Sequence, residues 1–168
     1  WHWLIAVVSA QTLPQLPEIS TRDGLPTAST RRVLELPSGS LVVATDGGLH
    51  YAPKNQPILE RIKQSVGTQQ CWDLHIWGNS LYVATYNNGL YQFDLDRGNL
   101  IQHFNQPYLQ KIRRLRAINN RLFCIARRGI FEITGNALTA KLLSEKDLPQ
   151  GNMPMDVFIR QGKLHALS

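Results

Sequence analysis

The chain has 168 residues, with 18 lysines and arginines against 12 acidic groups, so it is moderately basic at a net charge of +6. Two cysteines are too few for a disulfide framework. The apolar run from Leu4 to Val8 is too short to span a membrane, and His2, His50, His75, His103 and His165 are scattered without metal-ligand spacing.

In chain order, Val8-Ser9-Ala10 fits the small-residue pattern before a signal-peptidase cut. Residues 1–10 therefore read as the remnant of a secretory signal; the alternative is an ordinary first strand. Residues 11–168 carry a repeat of about 41 residues. Its anchor is an apolar strand: Leu41-Val42-Val43-Ala44-Thr45, Leu81-Tyr82-Val83-Ala84-Thr85, Leu122-Phe123-Cys124-Ile125-Ala126 and Leu164-His165-Ala166-Leu167-Ser168. The anchoring leucines are 40, 41 and 42 residues apart. Seven positions before each stands an aliphatic residue: Leu34, Leu74, Leu115 and Val157. Between the two lie turns of small or polar residues, Ser38-Gly39-Ser40, Gly78-Asn79-Ser80, Asn119-Asn120 and Gln161-Gly162. After three of the anchors comes a glycine with an apolar-aromatic step, in Gly48-Leu49 with Tyr51 close by, Gly89-Leu90-Tyr91 and Gly129-Ile130-Phe131.

Within the first unit the strands fall near Arg32–Leu36, Leu41–Thr45 and Leu49–Ala52, with a weaker fourth near Ile58–Ile62. The second strand is apolar on both alternations, as a strand buried on both faces must be. Propeller blades meet that condition, because each sheet packs between two neighbours; a flat solenoid or a sandwich is the alternative. The expected fold is all-β, a β-propeller of three complete blades plus half of a fourth in an incomplete ring. Blade one covers about residues 22–64, blade two 65–105, blade three 106–147, and the start of blade four 148–168. Propellers close with roughly four to eight blades, so the chain is expected to be a piece of a longer protein. On the same repeat logic His165, on an anchor strand, is expected to be a packed core residue. Cys124 replaces Val43 and Val83 and is expected to fill core space, with pairing to Cys71 left open.

Seven of the 18 basic residues fall within 18 positions: Lys111, Arg113, Arg114, Arg116, Arg121, Arg127 and Arg128. In an up-and-down blade the start of strand one and the loop after strand two share a face. Arg113 and Arg114 should therefore gather with Arg127 and Arg128 on one rim. Equivalent places in the other blades hold Arg31, Arg32 and Asp46, then Trp72, Tyr86 and Asn87. The candidate ligand-binding set is thus Arg32, Trp72, Tyr86, Asn87, Arg113, Arg114, Arg127 and Arg128. Forked donors and ring stacking suit an anionic or saccharide ligand; the alternative is a solvated basic edge. Asp94 and Asp96 read as turn residues, and Asp23 likewise. The sequence has no nucleophile elbow, phosphate loop or zinc pattern, so no catalytic residue, metal site or cofactor is expected.

The segment Thr21-Arg22-Asp23-Gly24-Leu25-Pro26, then Arg32-Val33-Leu34-Glu35, Gly39 and Leu41-Val42-Val43-Ala44-Thr45-Asp46-Gly47-Gly48-Leu49, resembles the two-component regulator propeller repeat. That repeat opens on Asp-Gly-Leu-Pro and carries a strand of the Leu-Trp-Ile-Gly-Thr kind before Gly-Leu-Tyr. The first copy departs at Val42-Val43-Ala44 and at His50; the second keeps Thr85 and Gly89-Leu90-Tyr91; the third replaces the threonine with Ala126. The resemblance implies a periplasmic, non-catalytic sensor region of a membrane-anchored bacterial receptor, such as a hybrid histidine kinase. It implies as partners an unknown ligand and the rest of the receptor chain, with homodimerisation at full length and no nucleic acid bound through this region. A protein-interaction scaffold and a fragment of a carbohydrate-active propeller enzyme are the competing readings.

Overall fold

Short turns fold consecutive strands back on one another, so every sheet is an antiparallel meander in chain order. The structure, a computed structural model, describes residues 22, 24–25, 29–55, 60–62, 66, 69–134, 137–144 and 153–167. The expected signal remnant at residues 1–10 and the turn reading of Asp23 lie outside the described residues. The first sheet holds β1 (Thr30–Glu35), β2 (Leu41–Thr45), β3 (Gly48–Ala52) and β4 (Glu60–Arg61). The second holds β5 (Cys71–Trp77), β6 (Ser80–Thr85), β7 (Leu90–Asp94) and β8 (Leu100–Phe104). The third holds β9 (Ile112–Ile118), β10 (Arg121–Ala126), β11 (Gly129–Thr134) and β12 (Ala137–Ser144), and β13 (Asp156–Arg160) pairs with β14 (Lys163–Leu167). The leading strands β1, β5, β9 and β13 lie side by side in that order. They are the inner strands of an unclosed β-propeller with three complete blades and half of a fourth.

A single hairpin is marginal in water, so the sheets are held by packing against each other. The anchor strands β2, β6 and β10 each serve two cores. Leu81 and Val83 of β6 pack with Val42, Ala44 and Leu49 of the first sheet, whereas Tyr82 and Ala84 pack with Leu115, Leu122 and Cys124 of the third. Phe123, Ile125 and Ile130 face Val157 of the half blade. At roughly 1.5–3 kcal/mol for each large apolar side chain taken out of water, these seams dominate stability. Both cysteines are buried and free. His165 is not a core residue: it is exposed on β14 and stacks on Phe158 at 5.2 Å. The pattern of β14 alternates exposed with half-buried residues, so the strand covers one face only.

The turns between first and second strands differ. Gly78-Asn79, Asn119-Asn120 and Gln161-Gly162 are two-residue connections, pairing Trp77 with Ser80, Ile118 with Arg121 and Arg160 with Lys163. Asn119 and Asn120 both have positive φ, at 50° and 57°, as a type I′ hairpin turn requires. In the first sheet the Gly39 amide donates to the Leu36 carbonyl at 2.8 Å and the Leu36 amide donates to Ser40 at 2.8 Å, so Pro37-Ser38-Gly39 forms a three-residue loop. One extra loop residue shifts the register by one and turns each side chain of the strand to the other face. Leu34 therefore pairs with Val42, while Leu74 and Leu115 pair with Val83 and Cys124. Leu34 is thus not the structural counterpart of Leu74 and Leu115, contrary to the seven-residue spacing; Val33, opposite Val43, is.

The turns after β2 and β6 are braced by threonine. Thr45 Oγ1 donates to the Gly48 carbonyl at 2.9 Å and accepts from the Gly47 amide. Thr85 Oγ1 does the same with Gly89 at 2.7 Å and the Asn88 amide. Gly89 is obligatory, because its φ is +71° and a Cβ there would lie 2.0 Å from the Phe104 carbonyl oxygen.

Candidate functional site

The inner strands β1, β5 and β9 each begin with a break in the ladder. The register skips one residue between Thr30 and Arg32, between Cys71 and Asp73, and between Ile112 and Arg114, which leaves Arg31, Trp72 and Arg113 as bulged residues. A bulge re-aims the extra side chain, and here the three converge. The Arg31 and Arg113 guanidinium carbons lie over the Trp72 ring, 4.9 and 5.6 Å from its centroid. Trp72 in turn stacks on Tyr86, with centroids 4.9 Å apart, and Lys111 Nζ lies 5.3 Å from the Tyr86 centroid. The Lys111 amide donates to the Tyr86 carbonyl, and the Arg127 amide donates to the Lys111 carbonyl at 3.2 Å. These contacts connect the starts of three inner strands to the turn after β10.

One residue further along each inner strand stands a charge: Arg32, Asp73, Arg114 and Asp156. These equivalent positions link neighbouring sheets. Arg32 Nε is 3.6 Å from Asp73 Oδ1. The nearly buried Asp73 accepts from the Leu74 amide at 2.9 Å and, across the seam, from the Leu115 amide at 2.8 Å. Asp156 accepts from Arg114 at 2.7 Å and bidentately from Arg116 at 2.7 and 2.5 Å. The Arg116 fork, helped by the Val157 amide and Arg114, holds the Asp156 carboxyl well below the usual carboxylate range. A cleft of about 280 Å³ opens among these groups, lined by Arg31, Arg32, Trp72, Asp73, Arg113 and Arg116 among others. His75 also lines it, with its pKa lowered chiefly by burial.

The expected rim is divided. Arg32, Trp72, Arg113 and Arg114 line the cleft at the inner strands, whereas Arg127 and Arg128 line a second cleft of about 190 Å³ with Gln110 and Lys111. Tyr86 lies between the two through its contacts with Trp72 and Lys111, and Asn87 is exposed in its turn and lines neither. Sequence reasoning missed Asp73, His75, Arg116 and Asp156. The 41-residue period, followed along charged rather than apolar positions, is the signal that finds the two aspartates. Among the described residues no group of three or more His, Cys, Asp or Glu is placed to hold a metal ion. Asp94 is a turn residue, its carboxylate accepting from the Asp96 and Arg97 amides.

No protein-family model matches this chain, and no curated protein matches it. Solved structures do. The extracellular domain assigned to the hybrid two-component system BT3049 of B. thetaiotaomicron superposes with a TM-score of 0.63 at 18% identity, over 84% of this chain and 19% of that one. The extracellular domain assigned to the one-component system BT4673 of the same organism gives 0.63 at 15% identity, over 86% and 21%. The computationally designed protein Ika4 gives 0.60 at 10% identity, over 83% and 86%. The chain thus spans about a fifth of the length of the two bacterial neighbours. At these identities the likeness is one of fold, which proteins of different purpose share. Among the described residues no helix is long and apolar enough to cross a membrane.

Proposed function

We propose that the chain is part of a non-catalytic, extracytoplasmic, ligand-sensing propeller of a bacterial signal-transduction receptor of the two-component regulator propeller kind. The observation that carries this reading is the superposition of 84% of the chain on the extracellular domain assigned to BT3049. The Asp23-Gly24-Leu25-Pro26 and Gly89-Leu90-Tyr91 signatures agree with it. The proposed ligand contacts come from Arg32, Trp72, Tyr86, Asn87, Arg113, Arg114, Arg127 and Arg128, and the partners are the rest of the receptor chain and a second copy. The receptor would sit in the inner membrane with this region in the periplasm. Ligand binding transmits a signal only through unequal affinity for two receptor states, so the inter-sheet contacts of β5, β9 and β13 are where such states would differ.

Reading the coding DNA beyond codon 168 tests the proposal first. Further repeats, an apolar span of about 20 residues and an output module are the expected result. A coding sequence with more blades and no span at either end would make the protein a secreted scaffold instead. In intact cells, protease added to spheroplasts should cleave this region while sparing the output module.

A further inference from the structure

Donors outnumber acceptors in the cleft between the inner strands. Arg31 is locked bidentately on Asp46, Arg114 and Arg116 share Asp156, and Arg32 stands beside Asp73. Five guanidiniums against three carboxylates leave two positive charges unbalanced among the described residues. Arg113 is the arginine of the five with no carboxylate beside it among those residues. Its Nη1 meets only the Met155 thioether at 3.7 Å, and its Nε is buried with no acceptor. The Trp72 indole nitrogen is likewise buried with no acceptor.

A neutral sugar needs acceptors for its hydroxyls and a free aromatic face. Asp73, the carboxylate lining the cleft, is already engaged by the Leu74 and Leu115 amides and by Arg32. Trp72 and Tyr86 stack on each other, and Arg31, Arg113 and Lys111 lie over them. Beside the His75 imidazole, the cleft therefore offers chiefly forked N–H donors, the chemistry that recognises carboxylate, sulfate or phosphate oxygens.

We infer that the cleft at the inner strands is an oxyanion site, in which Arg113 supplies the primary fork and Arg32 the second, and Trp72 positions Arg113 instead of carrying a sugar ring. This deepens the sensing proposal and rests on it for biological role, though not for binding. Calorimetric titration of the full-length protein with galacturonate, sulfate and inorganic phosphate, and with galactose as the neutral counterpart, tests it. At least one anion should bind, more weakly as NaCl is raised, and the best of the three identifies the source of the oxyanion. Arg113→Ala should weaken that binding about tenfold or more, and Arg113→Lys should restore it only in part, because an ammonium keeps the charge but not the fork. A Lys163→Ala variant, on exposed β14, should bind as the parent does. Galactose binding as tightly as galacturonate, no anion binding at all, or Arg113→Ala binding unchanged with a native melting profile would each overturn the inference. Galactose binding alone leaves the sensing proposal standing; anion binding in a protein without an output module removes that proposal and keeps the site.

Discussion

The first sheet and the two that follow are copies of one repeat, yet the aliphatic residue seven positions before the anchor faces one way in the first sheet and the other way in the next two. Pro37-Ser38-Gly39 closes the first hairpin with three residues, where Gly78-Asn79 and Asn119-Asn120 use two. The same spacing of seven then sends Leu34 toward the core shared with the second sheet, while Leu74 faces back toward the first and Leu115 toward the second. Apolar spacing alone does not decide which face a strand presents, because loop parity has the final say.

Truncation of these aliphatic residues gives the largest test of that difference. Leu74 and Leu115 are buried, at 0% and 3% exposure, so Leu74→Ala and Leu115→Ala should each cost about 2–5 kcal/mol in urea unfolding. Leu34 is only half-buried, and Leu34→Ala should cost about 1 kcal/mol. Val33 is 50% exposed, so Val33→Ala should change stability by less than about 0.5 kcal/mol. Equal losses at Leu34 and Leu74 would mean that the two strands pack alike and that the register difference has no energetic consequence.

Glycines in the second sheet sharpen the contrast between a turn that only needs positive φ and one that also needs space. Gly89→Ala meets both the left-handed penalty and the Phe104 carbonyl, and should cost about 2–4 kcal/mol. A Cβ at Gly78, with φ of +59°, meets nothing within 4 Å, so Gly78→Ala should cost about 1–2 kcal/mol and Gly78→Asn less. Parallel melts of the three variants separate the two contributions; equal losses at both glycines would show that the close approach to Phe104 relaxes away.

The propeller was legible because its determinants are local and repeated. An anchor such as Leu81-Tyr82-Val83-Ala84-Thr85 must be apolar on both faces, and the glycine after it must be free of a side chain. Cys124 could be placed in the core by its position in the repeat alone. His165 could not, since β14 covers one face only. The bulges escaped because nothing in the composition of Arg31, Trp72 and Arg113 marks an unpaired position. The carboxylate pairs escaped because they join different sheets, and Asp73 finds Leu115 only once the seam has formed. Trp72 and Arg113 were found together from blade geometry, whereas Arg114 lies apart from Arg127 and Arg128 and pairs with Asp156, which the basic cluster did not include.

The threonine brace gives a smaller effect with a built-in control. Thr85 Oγ1 is buried and serves two backbone groups of a three-residue turn, so Thr85→Ala should cost about 1–2 kcal/mol. The third sheet has Ala126 at the equivalent place, and its two-residue turn pairs Ala126 with Gly129 as the first sheet's turn pairs Thr45 with Gly48. Ala126 is fully buried in the core shared with the second sheet, so Ala126→Thr should bring no gain, because overpacking there offsets the hydroxyl's two hydrogen bonds. A stabilising Ala126→Thr would show that this core has room for the brace that Thr45 gives a turn of the same length.

The two aspartates at equivalent inner-strand positions supply the last and smallest test. Asp73 is bound mainly by backbone amides, while Asp156 is bound by two half-exposed arginines and one amide. Because the Asp156 pKa is depressed in the folded state, its contribution to stability is fully present above the unfolded value near 4 and fades as pH falls through the lower folded value. Exposed arginine partners limit the size of that contribution to a fraction of the nominal shift. The expected outcome is a stability profile flat from pH 7 to about 5 with respect to this group, then a decline toward pH 2 that is shallower in Asp156→Asn. Raising NaCl should flatten the parent's decline as well, since the arginine partners face solvent. An Asp156→Asn profile with the same slope as the parent would show that the half blade is held to the third sheet by Val157 and its apolar contacts, with the ion pairs contributing nothing measurable.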